Sequence, residues 1–554
     1  SSSTKQSNTL YSETYADAPW RMKKTDDNGN LNSIPIHGFI HDAHKLIGLT
    51  LQLDYVNIKI KNASSNSFGS PLTYNVLNDA TFKNMFSATS PNDSQLEIQE
   101  FKNSSFVSSS SYTMDFNEDS DIFDDFLEVT EPYWYFTFNI PPSELIGMEN
   151  IIDVEVTFSF SNFTISDDVI GLRIFRSDED IPKLTNWYRG DTHLHSFFTQ
   201  NSAEIGLPIE STIEAGRCIG LDWFTSTDHT SDYDNYGGGN INTNWSKIQQ
   251  IVKGLNAVNS DFKVIAGQEV ATNNSQGDLV HMLAYPSYNA PFSLPFLSDG
   301  DGDLTSTSST INNVVSLLED SEGFSYAAHP FSTADKLPTI PVGGGIWNLG
   351  ELSFPTNGNN FPLTGGEIIC NETSGTSDIL SLDENEFIKN RIKGSQIWNV
   401  RNGRSTPSGS ELDPWNVRGN SNPFNVEDTA ALSHHIKKFR QGQEIVNHIN
   451  KLGLRQRNSN ENLTNWKMYI SAGADAHGSF NFTNTDDFGG FGDINTNAIG
   501  KLTTLVYAAI LIFNIQLFSQ TGLLVTDKES SGQVAGILYF TSTLGSALGT
   551  IITS

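Results

Sequence analysis

Two histidines that are one residue apart, His193 and His195, stand in the run Gly-Asp-Thr-His-Leu-His-Ser at positions 190–196. Because side chains of a strand alternate between its two faces, both imidazoles would point to the same side and could reach one cation. Alone, such a pair is a weak signal. Cys218 and Cys370 are the only cysteines in the sequence, so any metal site must be built from histidines and carboxylates.

Further polar residues follow short apolar runs along the chain. A carboxylate held at the end of a strand can bridge two cations, and histidines around it can complete their coordination. Taken singly, each such residue is more often a packed histidine or a capping aspartate. Together they predict a metal centre, with these members beside the first pair: Asp228, His229, Glu269, His281, His329, Asp475 and His477.

The elements that must position these residues alternate between short strands and helices, which is typical of an α/β barrel whose site lies at the strand ends. We predict strands at 221–227, 263–266, 279–284, 324–328, 367–370 and 468–472, and helices at 208–219, 245–258, 311–318 and 429–452. Before this region, strict alternation of apolar and polar residues over 152–160 predicts a strand with one buried face. Similar runs separated by turn residues predict a β-sandwich.

Four regions follow from these patterns: a polar flexible tail over 1–33, a β-sandwich-like domain over 34–180, a barrel over 181–505 and an apolar segment over 506–554. The apolar segment has two interpretations. It is either the end of the barrel or a membrane hairpin that tethers the protein, because the uncharged stretch 502–526 is long enough to span a bilayer.

The charge balance excludes one class of partner. With 64 acidic residues against 33 basic ones, the net charge is −31, and such a surface repels nucleic-acid phosphates. Sequons at Asn62, Asn103 and Asn162 and the polar N-terminal stretch favour an exported protein, extracellular, periplasmic or at the cell surface. The sequence does not indicate an oligomeric state.

The order of the motifs, H-x-H, D-H, G-x-E, H, H-P and D-A-H-G, resembles the polymerase-and-histidinol-phosphatase (PHP) metallohydrolase domain over about residues 185–505. The flanking residues are most similar to its carbaryl-hydrolase branch. This resemblance implies a distorted (β/α)7 barrel that binds two or three divalent cations such as zinc, manganese or iron. We therefore expect an α/β fold with a PHP-type barrel, preceded by an all-β domain.

The resemblance also implies a division of the ligands. One cation would be held by His193, His195, Glu269 and Asp475, and a second by Glu269, His281 and His329. His229 and His477 would be the remnant of a third site. Asn201 stands where many members have a further histidine, which puts a three-metal centre in doubt.

The predicted function is a divalent-metal-dependent hydrolase in which a metal-bridging hydroxide attacks a small-molecule ester. The first expectation is a phosphoesterase for small or extracellular phosphate esters. One alternative is hydrolysis of a carbamate, carboxylic ester or amide at the same centre, and another is a non-catalytic β-sandwich binding protein with a structural metal site. Asp228, His229 and His477 are the candidates for proton delivery to the leaving group. Asp228 is interpreted either as a ligand or as an orienting partner of a ligand.

Two weaker expectations concern loops. Arg401 and Arg404 could clamp a phosphate or carboxylate, and Asn371 could contact substrate because it follows a predicted strand. The alternating acids of 299–303 look like the start of a calcium loop, but the later ligands of such a loop are missing. For the segment with Arg401 and Arg404 a plain surface loop is favoured, with substrate binding as the alternative. For 299–303 a flexible loop is favoured, with calcium binding as the alternative.

Overall fold

The structure is a computed structural model of the whole chain. It describes residues 13–41, 53–75, 81–84, 99–101, 133–160, 169–181, 184–199, 206–233, 241–274, 279–298, 310–330, 386–398, 446–447, 449–450, 453–454, 466–477, 480–481, 498–500, 502–507, 524–526 and 536–538.

The N-terminal part of the described chain folds into two five-stranded sheets, with strand orders β1-β3-β8-β6-β7 and β2-β10-β9-β4-β5. Neighbouring strands are antiparallel, except that β10 and β2 are parallel. The strands are β1 (Glu13–Asp17), β2 (Arg21–Met22), β3 (Ile34–His41), β4 (Leu53–Asn62), β5 (Leu72–Asn75), β6 (Thr81–Asn84), β7 (Gln99–Phe101), β8 (Tyr133–Ile140), β9 (Ile151–Phe160) and β10 (Val169–Arg176).

The two sheets share one hydrophobic core. Alternate residues of β9, including Val154 and Val156, are buried, and the residues between them are half-buried. This alternation is the one expected for 152–160. The buried side chains of β9 belong to the same cluster as Ile36 and Phe138 of the other sheet, so burial of apolar surface between the sheets stabilises this part of the molecule.

The remaining described chain is mixed α/β and forms a nine-stranded sheet of order β17-β16-β15-β14-β13-β12-β11-β18, with β19 also paired to β11. Its strands are β11 (Trp187–His195), β12 (Trp223–His229), β13 (Lys263–Asn273), β14 (Leu279–Tyr285), β15 (Phe324–Ala327), β16 (Gly394–Trp398), β17 (Tyr469–Ala472), β18 (Ala476–His477) and β19 (Thr504–Tyr507). The helices are α1 (Ile209–Ile219), α2 (Ile241–Val258), α3 (Ile311–Asp320) and α4 (Glu386–Lys389), and a separate antiparallel pair is formed by β20 (Leu524–Thr526) and β21 (Gly536–Leu538).

Strand direction changes twice along the path from β11 to β17. Strands β11, β12 and β13 are parallel, β14 is antiparallel to both β13 and β15, and β15, β16 and β17 are parallel again. Helix α1 lies between β11 and β12, α2 between β12 and β13, and α3 between β14 and β15. The general α/β expectation therefore holds, while the antiparallel β14 departs from a plain repetition of strand and helix.

The sheet is curled, and a short connection joins the strands at its two ends. Strand β17 lies at one end and β18 at the other, and only residues 473–475 separate them in sequence. Because β18 pairs in parallel with β11 through His195↔His477, the segment that follows β17 lies beside the H-x-H strand. This curvature brings residues from both ends of the sheet to one place.

The two sheet systems contact each other at a set of residues that we call the Phe480 junction, which consists of Asp17, Trp20, Phe480 and Ile499. The Phe480 N–H donates to Asp17 Oδ2 at 2.6 Å, and the Trp20 N–H donates to the Phe480 carbonyl at 2.8 Å. The Trp20 indole N–H donates to the Ile499 carbonyl at 2.9 Å. Asp17 at the end of β1 and Trp20 just before β2 are thus hydrogen-bonded to the part of the chain that follows His477.

Several predicted elements agree with the structure, and others lie beyond it. The predicted strands at 221–227, 263–266, 279–284, 324–328 and 468–472 and the first three predicted helices overlap observed elements. The predicted strand at 367–370 and most of the predicted helix at 429–452 lie outside the described residues. Strand β16 was not predicted. The boundaries of the four sequence regions remain predictions.

The C-terminal segment is described only in part. Strand β19 lies at the start of this segment and pairs antiparallel with β11. Within the described residues, no helix is both long enough and apolar enough to cross a membrane. Most of 506–554, where a membrane hairpin was the alternative, lies outside the described residues.

Candidate metal centre

The register of the curled sheet brings the predicted ligands together. Residues His193 and His195 share one face of β11, and His195 is paired with His477 of β18. On the next strands, His229 is paired with Glu269 across β12 and β13. The remaining predicted ligands lie on β14 or just after β15 and β17, and they are His281, His329 and Asp475.

The first group of ligand atoms lies deepest and comprises His193, His195, Glu269 and Asp475. The two Nε2 atoms are 3.2 Å apart. His193 Nε2 lies 3.1 Å from Glu269 Oε2 and 3.2 Å from Asp475 Oδ1, and for His195 Nε2 both distances are 3.1 Å. Four ligands bound about 2.0 Å from a tetrahedral cation lie about 3.3 Å from one another. The spacing of this group therefore fits such a cation.

A second group is formed by His229, Glu269 and His281. His229 Nδ1 lies 3.1 Å from Glu269 Oε2, and His281 Nδ1 lies 2.9 Å from Glu269 Oε1. His329 Nε2 is 3.1 Å from the same Oε1 and 3.9 Å from Asp475 Oδ2. The expected division differs here, since His229 joins Glu269 and His281, while His329 contacts carboxylates of both groups.

A third group contains His195, His229 and His477. The His229 and His477 Nε2 atoms are 3.4 Å apart, and the His195 and His477 rings are stacked with centroids 3.8 Å apart. These residues are the ones expected at the remnant of a third site. His229 thus faces the second group through Nδ1 and the third group through Nε2, which makes it the link between them.

Burial and opposite charge set the ionisation of this centre. Burial lowers the pKa of His195, but the carboxylates of Asp475 and Glu269 outweigh it and raise this pKa to about 10. For Glu269, burial raises the pKa, but the imidazoles of His193, His229 and His281 hold it well below its usual range. Without a cation, a proton on His195 therefore offsets part of the negative charge of the buried carboxylates.

One buried atom supports a cation at this place. Within the described part of the chain, Glu269 Oε2 accepts no hydrogen bond, although imidazole nitrogens of His193, His195 and His229 each lie 3.1 Å away. A buried charged oxygen without a donor is costly. Convergence of imidazole nitrogens and carboxylate oxygens is the donor set that zinc, manganese and iron accept. The residues present therefore fit a divalent metal.

Asp228 lies behind the ligands and is fully buried. Its Oδ1 accepts from the Ser196 N–H at 2.6 Å and the Thr199 hydroxyl at 3.1 Å, and its Oδ2 accepts from the Ser196 and Ser226 hydroxyls at 2.8 and 2.9 Å. Since both oxygens have donors, this arrangement favours the orienting interpretation of Asp228. Thr199 Oγ1 also lies 3.0 Å from His195 Nδ1, so the orientation acts on His195.

Two further residues that organise the centre, Gln396 and Asp191, were not predicted. Gln396 lies between His193, His329 and Gly473. Asp191 Oδ1 accepts from the backbone N–H groups of His193 and Ala474 at 3.1 and 2.9 Å. Burial raises the pKa of Asp191 to about 7 despite these hydrogen bonds. The position of Asp191, two residues before His193, could have identified it from the sequence. Gln396 belongs to no recognisable motif.

Unusual backbone angles occur at two of the ligands. His329 has φ of 28° and Asp475 has φ of 52°, both in the left-handed region. Such angles are costly for residues with a side chain and persist where the surroundings enforce them. Beside Asp475, a Cβ on Gly473 would lie 2.7 Å from His193 N. Only glycine allows the β17–β18 connection to approach β11 this closely.

The weaker predictions cannot be compared with the structure. The possible substrate contacts Asn371, Arg401 and Arg404 lie outside the described residues, as do Asn201 and the candidate calcium loop at 299–303.

Comparison with known proteins gives limited information. No protein-family model and no curated protein matches the chain. Among solved structures, the chain is similar to a protein from Bifidobacterium adolescentis that carries a provisional name as a metal-dependent phosphoesterase. The match has a TM-score of 0.25 and 12% sequence identity, and it covers 54% of this chain and 91% of that chain. The functional argument therefore depends on the geometry of the centre.

Proposed function

We propose that this protein is a divalent-metal-dependent hydrolase with a PHP-type centre, and that its substrates are small phosphate esters. The observation that carries the proposal is the convergence of imidazoles and carboxylates from segments as far apart as 280 positions, as for His195 and Asp475. Hydrophobic packing alone does not require eight such groups to face one another. The order of the motifs supports a barrel of the PHP type with zinc, manganese or iron.

A bound divalent cation would supply Lewis acidity, which activates water as a nucleophile near neutral pH and offsets the charge that develops on the ester oxygens. His193, His195, Glu269 and Asp475 would hold one such ion. A second ion would be held by Glu269 together with His229, His281 and His329. The chain then needs no serine or cysteine nucleophile.

Proton transfer falls to the side of the centre that contains His229 and His477. The Asp475 carbonyl oxygen can only accept, so the contact of 3.1 Å to His477 Nδ1 assigns the proton of that ring to Nδ1. The His477 Nε2 lone pair then faces His229 Nε2. A proton on His229 Nε2 can be shared between the two rings and delivered to a leaving group, whereas both Asp228 oxygens are already engaged.

Exposure distinguishes this proposal from a purely structural metal site. His229 and His281 are 8% and 9% exposed, whereas His193 and Glu269 are 0% exposed. A site that only stabilises the fold can be closed on all sides, but a catalytic site keeps an accessible side. The partial exposure of the second group therefore supports catalysis and indicates the side from which water and substrate would approach.

The direct test measures metal content and hydrolysis together. The purified chain should contain about two equivalents of divalent metal and should hydrolyse p-nitrophenyl phosphate, with activity lost on chelation and restored by metal. Faster turnover of p-nitrophenyl acetate or of a 1-naphthyl carbamate would replace the phosphoesterase proposal by the ester or carbamate alternative. A chain without bound divalent metal and without chelator-sensitive hydrolysis of all three substrates would contradict the proposal.

A further inference from the structure

We propose that Gln396 is a positioning residue that fixes the tautomer of His193 and thereby presents a lone pair to the first ligand group. The inference rests on the proposed function insofar as that group binds a metal. Gln396 lies on β16 and is 1% exposed. Its amide forms hydrogen bonds to His193 on β11, to His329 just after β15 and to Gly473 just after β17.

The orientation of the amide follows from two backbone partners. The Gly473 carbonyl can only accept, so the Gln396 atom 3.0 Å from it must be the NH2 group. The His329 backbone N–H can only donate, so the Gln396 atom 3.1 Å from it must be the carbonyl oxygen. Both constraints give the same orientation, which removes the usual ambiguity of a glutamine amide.

This orientation determines which nitrogen of His193 carries the proton. The Gln396 oxygen lies 3.0 Å from His193 Nδ1 and has no hydrogen to donate, so Nδ1 must be the donor. In the neutral ring, Nε2 is then left with its lone pair. That atom is the one that lies 3.1 Å from Glu269 Oε2 and 3.2 Å from Asp475 Oδ1.

The same three hydrogen bonds hold the ligands in register. One ends on the His193 ring, one on the backbone of His329, and one on the residue two positions before Asp475. His329 and Asp475 have strained backbone angles, and such angles need surrounding contacts to persist. Because Gln396 is buried, loss of its amide leaves these groups with unpaired hydrogen-bonding atoms.

Two substitutions separate the contributions of the amide. Gln396→Met keeps a similar length but removes every hydrogen bond, whereas Gln396→Glu keeps acceptors for His193 Nδ1–H and the His329 N–H but loses the donor to Gly473. The control is Ser395→Ala, on the adjacent residue, whose buried hydroxyl has no hydrogen-bond partner among the described residues. Thermal unfolding of the metal-free proteins verifies that each variant folds.

The first measurement is made without metal, on full-length protein labelled with 15N-histidine. The His193 resonances, identified by their absence from His193→Gln, should show an Nδ1–H ring in wild-type protein, Ser395→Ala and Gln396→Glu. In Gln396→Met the ring should show a mixture of tautomers. An unchanged Nδ1–H ring in Gln396→Met overturns the inference, and if that variant does not fold, a loss of the Nδ1–H ring in Gln396→Glu overturns it.

The second measurement is cobalt(II) binding in competition with a chelator, followed by the visible absorption of the ion. Affinity for the first equivalent should fall by about 10–100-fold in Gln396→Met, should fall less in Gln396→Glu and should be unchanged in Ser395→Ala. Lower affinity with an unaltered tautomer would overturn the inference, because it would indicate a packing role alone. Failure of wild-type protein to bind cobalt would contradict the proposed function instead, and the metal-free spectra would still decide the tautomer.

Discussion

The two sides of the metal centre differ in burial and in the partners of their ligands. The first group is 0–1% exposed, whereas His229, His281, His329 and His477 are 5–9% exposed. Both imidazoles of the H-x-H pair also have side-chain partners behind them, Gln396 for His193 and Thr199 for His195. The comparison teaches that the deep side is closely packed and held by hydrogen bonds from behind, while the outer side retains contact with solvent.

The largest expected effect comes from removing a ligand of the deep side. His193→Ala and Asp475→Asn should lower metal affinity by more than about 100-fold, because removing a ligand costs more affinity than removing a residue that only hydrogen-bonds to a ligand. Hydrolysis should fall to background. Metal analysis after dialysis and turnover of p-nitrophenyl phosphate provide the measurements. Retention of both metal and activity by these variants would show that the deep side is not the metal site.

A change on the outer side should be more selective. His281→Gln removes the nitrogen 2.9 Å from Glu269 Oε1 but leaves the first group complete. The variant should therefore keep one equivalent of metal, lose the second and hydrolyse substrate more slowly by about 100-fold or more, the order of magnitude of a single catalytic contribution. Loss of both equivalents would contradict the proposed division into two sides.

The pH dependence of metal binding should report the deep side. The carboxylates raise the pKa of His195 to about 10 in the metal-free protein, and a ligating imidazole must be unprotonated. Metal uptake below that pH therefore releases a proton. Affinity should rise with pH by up to about tenfold per unit for each proton released.

Calorimetric titration in buffers of different ionisation enthalpy measures this proton release directly. At neutral pH the number of protons released on binding the first equivalent should be about one. A binding constant that is independent of pH between 6 and 8 would contradict the assignment of His195 as a ligand.

The smallest expected effect concerns the partner of His195. Thr199→Val removes the hydroxyl that lies 3.0 Å from His195 Nδ1 and donates to Asp228, so metal affinity should fall by about tenfold. Thr212→Val is the matched control, because its buried hydroxyl donates to the carbonyl of Pro208, the residue that precedes α1. Equal effects of the two substitutions on affinity would show that general destabilisation is responsible.

The sequence predicted the convergence of the ligands better than their grouping. The H-x-H spacing places His193 and His195 on one face through the period of a strand, and motifs at successive strand ends predict a shared site. The grouping of His229 with His281 depends on side-chain rotation, which spacing does not determine. No local sequence pattern predicted the role of Gln396. A residue that hydrogen-bonds to a ligand from behind must be close to it in space, but it need not stand at any fixed spacing from it in the sequence.

The fold was predictable to a similar degree. Alternation in β9 and the apolar stripes of α1 and α3 follow from burial of one face. The reversal at β14 was not apparent because, apart from His281, the run 280–285 is apolar on both faces, and such a pattern does not indicate strand direction. Pairing between distant strands depends on which edges are free during folding, and no single segment carries that information.

The Phe480 junction has a practical consequence for anyone who divides this chain. Cutting it near the predicted boundary at residue 180 would remove Asp17 and Trp20, which leaves the Phe480 N–H and the Phe480 and Ile499 carbonyls without their present partners. Phe480 lies three residues after His477. An isolated C-terminal fragment would therefore lose an anchor for its last imidazole, and poor metal retention by such a fragment would reflect the missing N-terminal sheets.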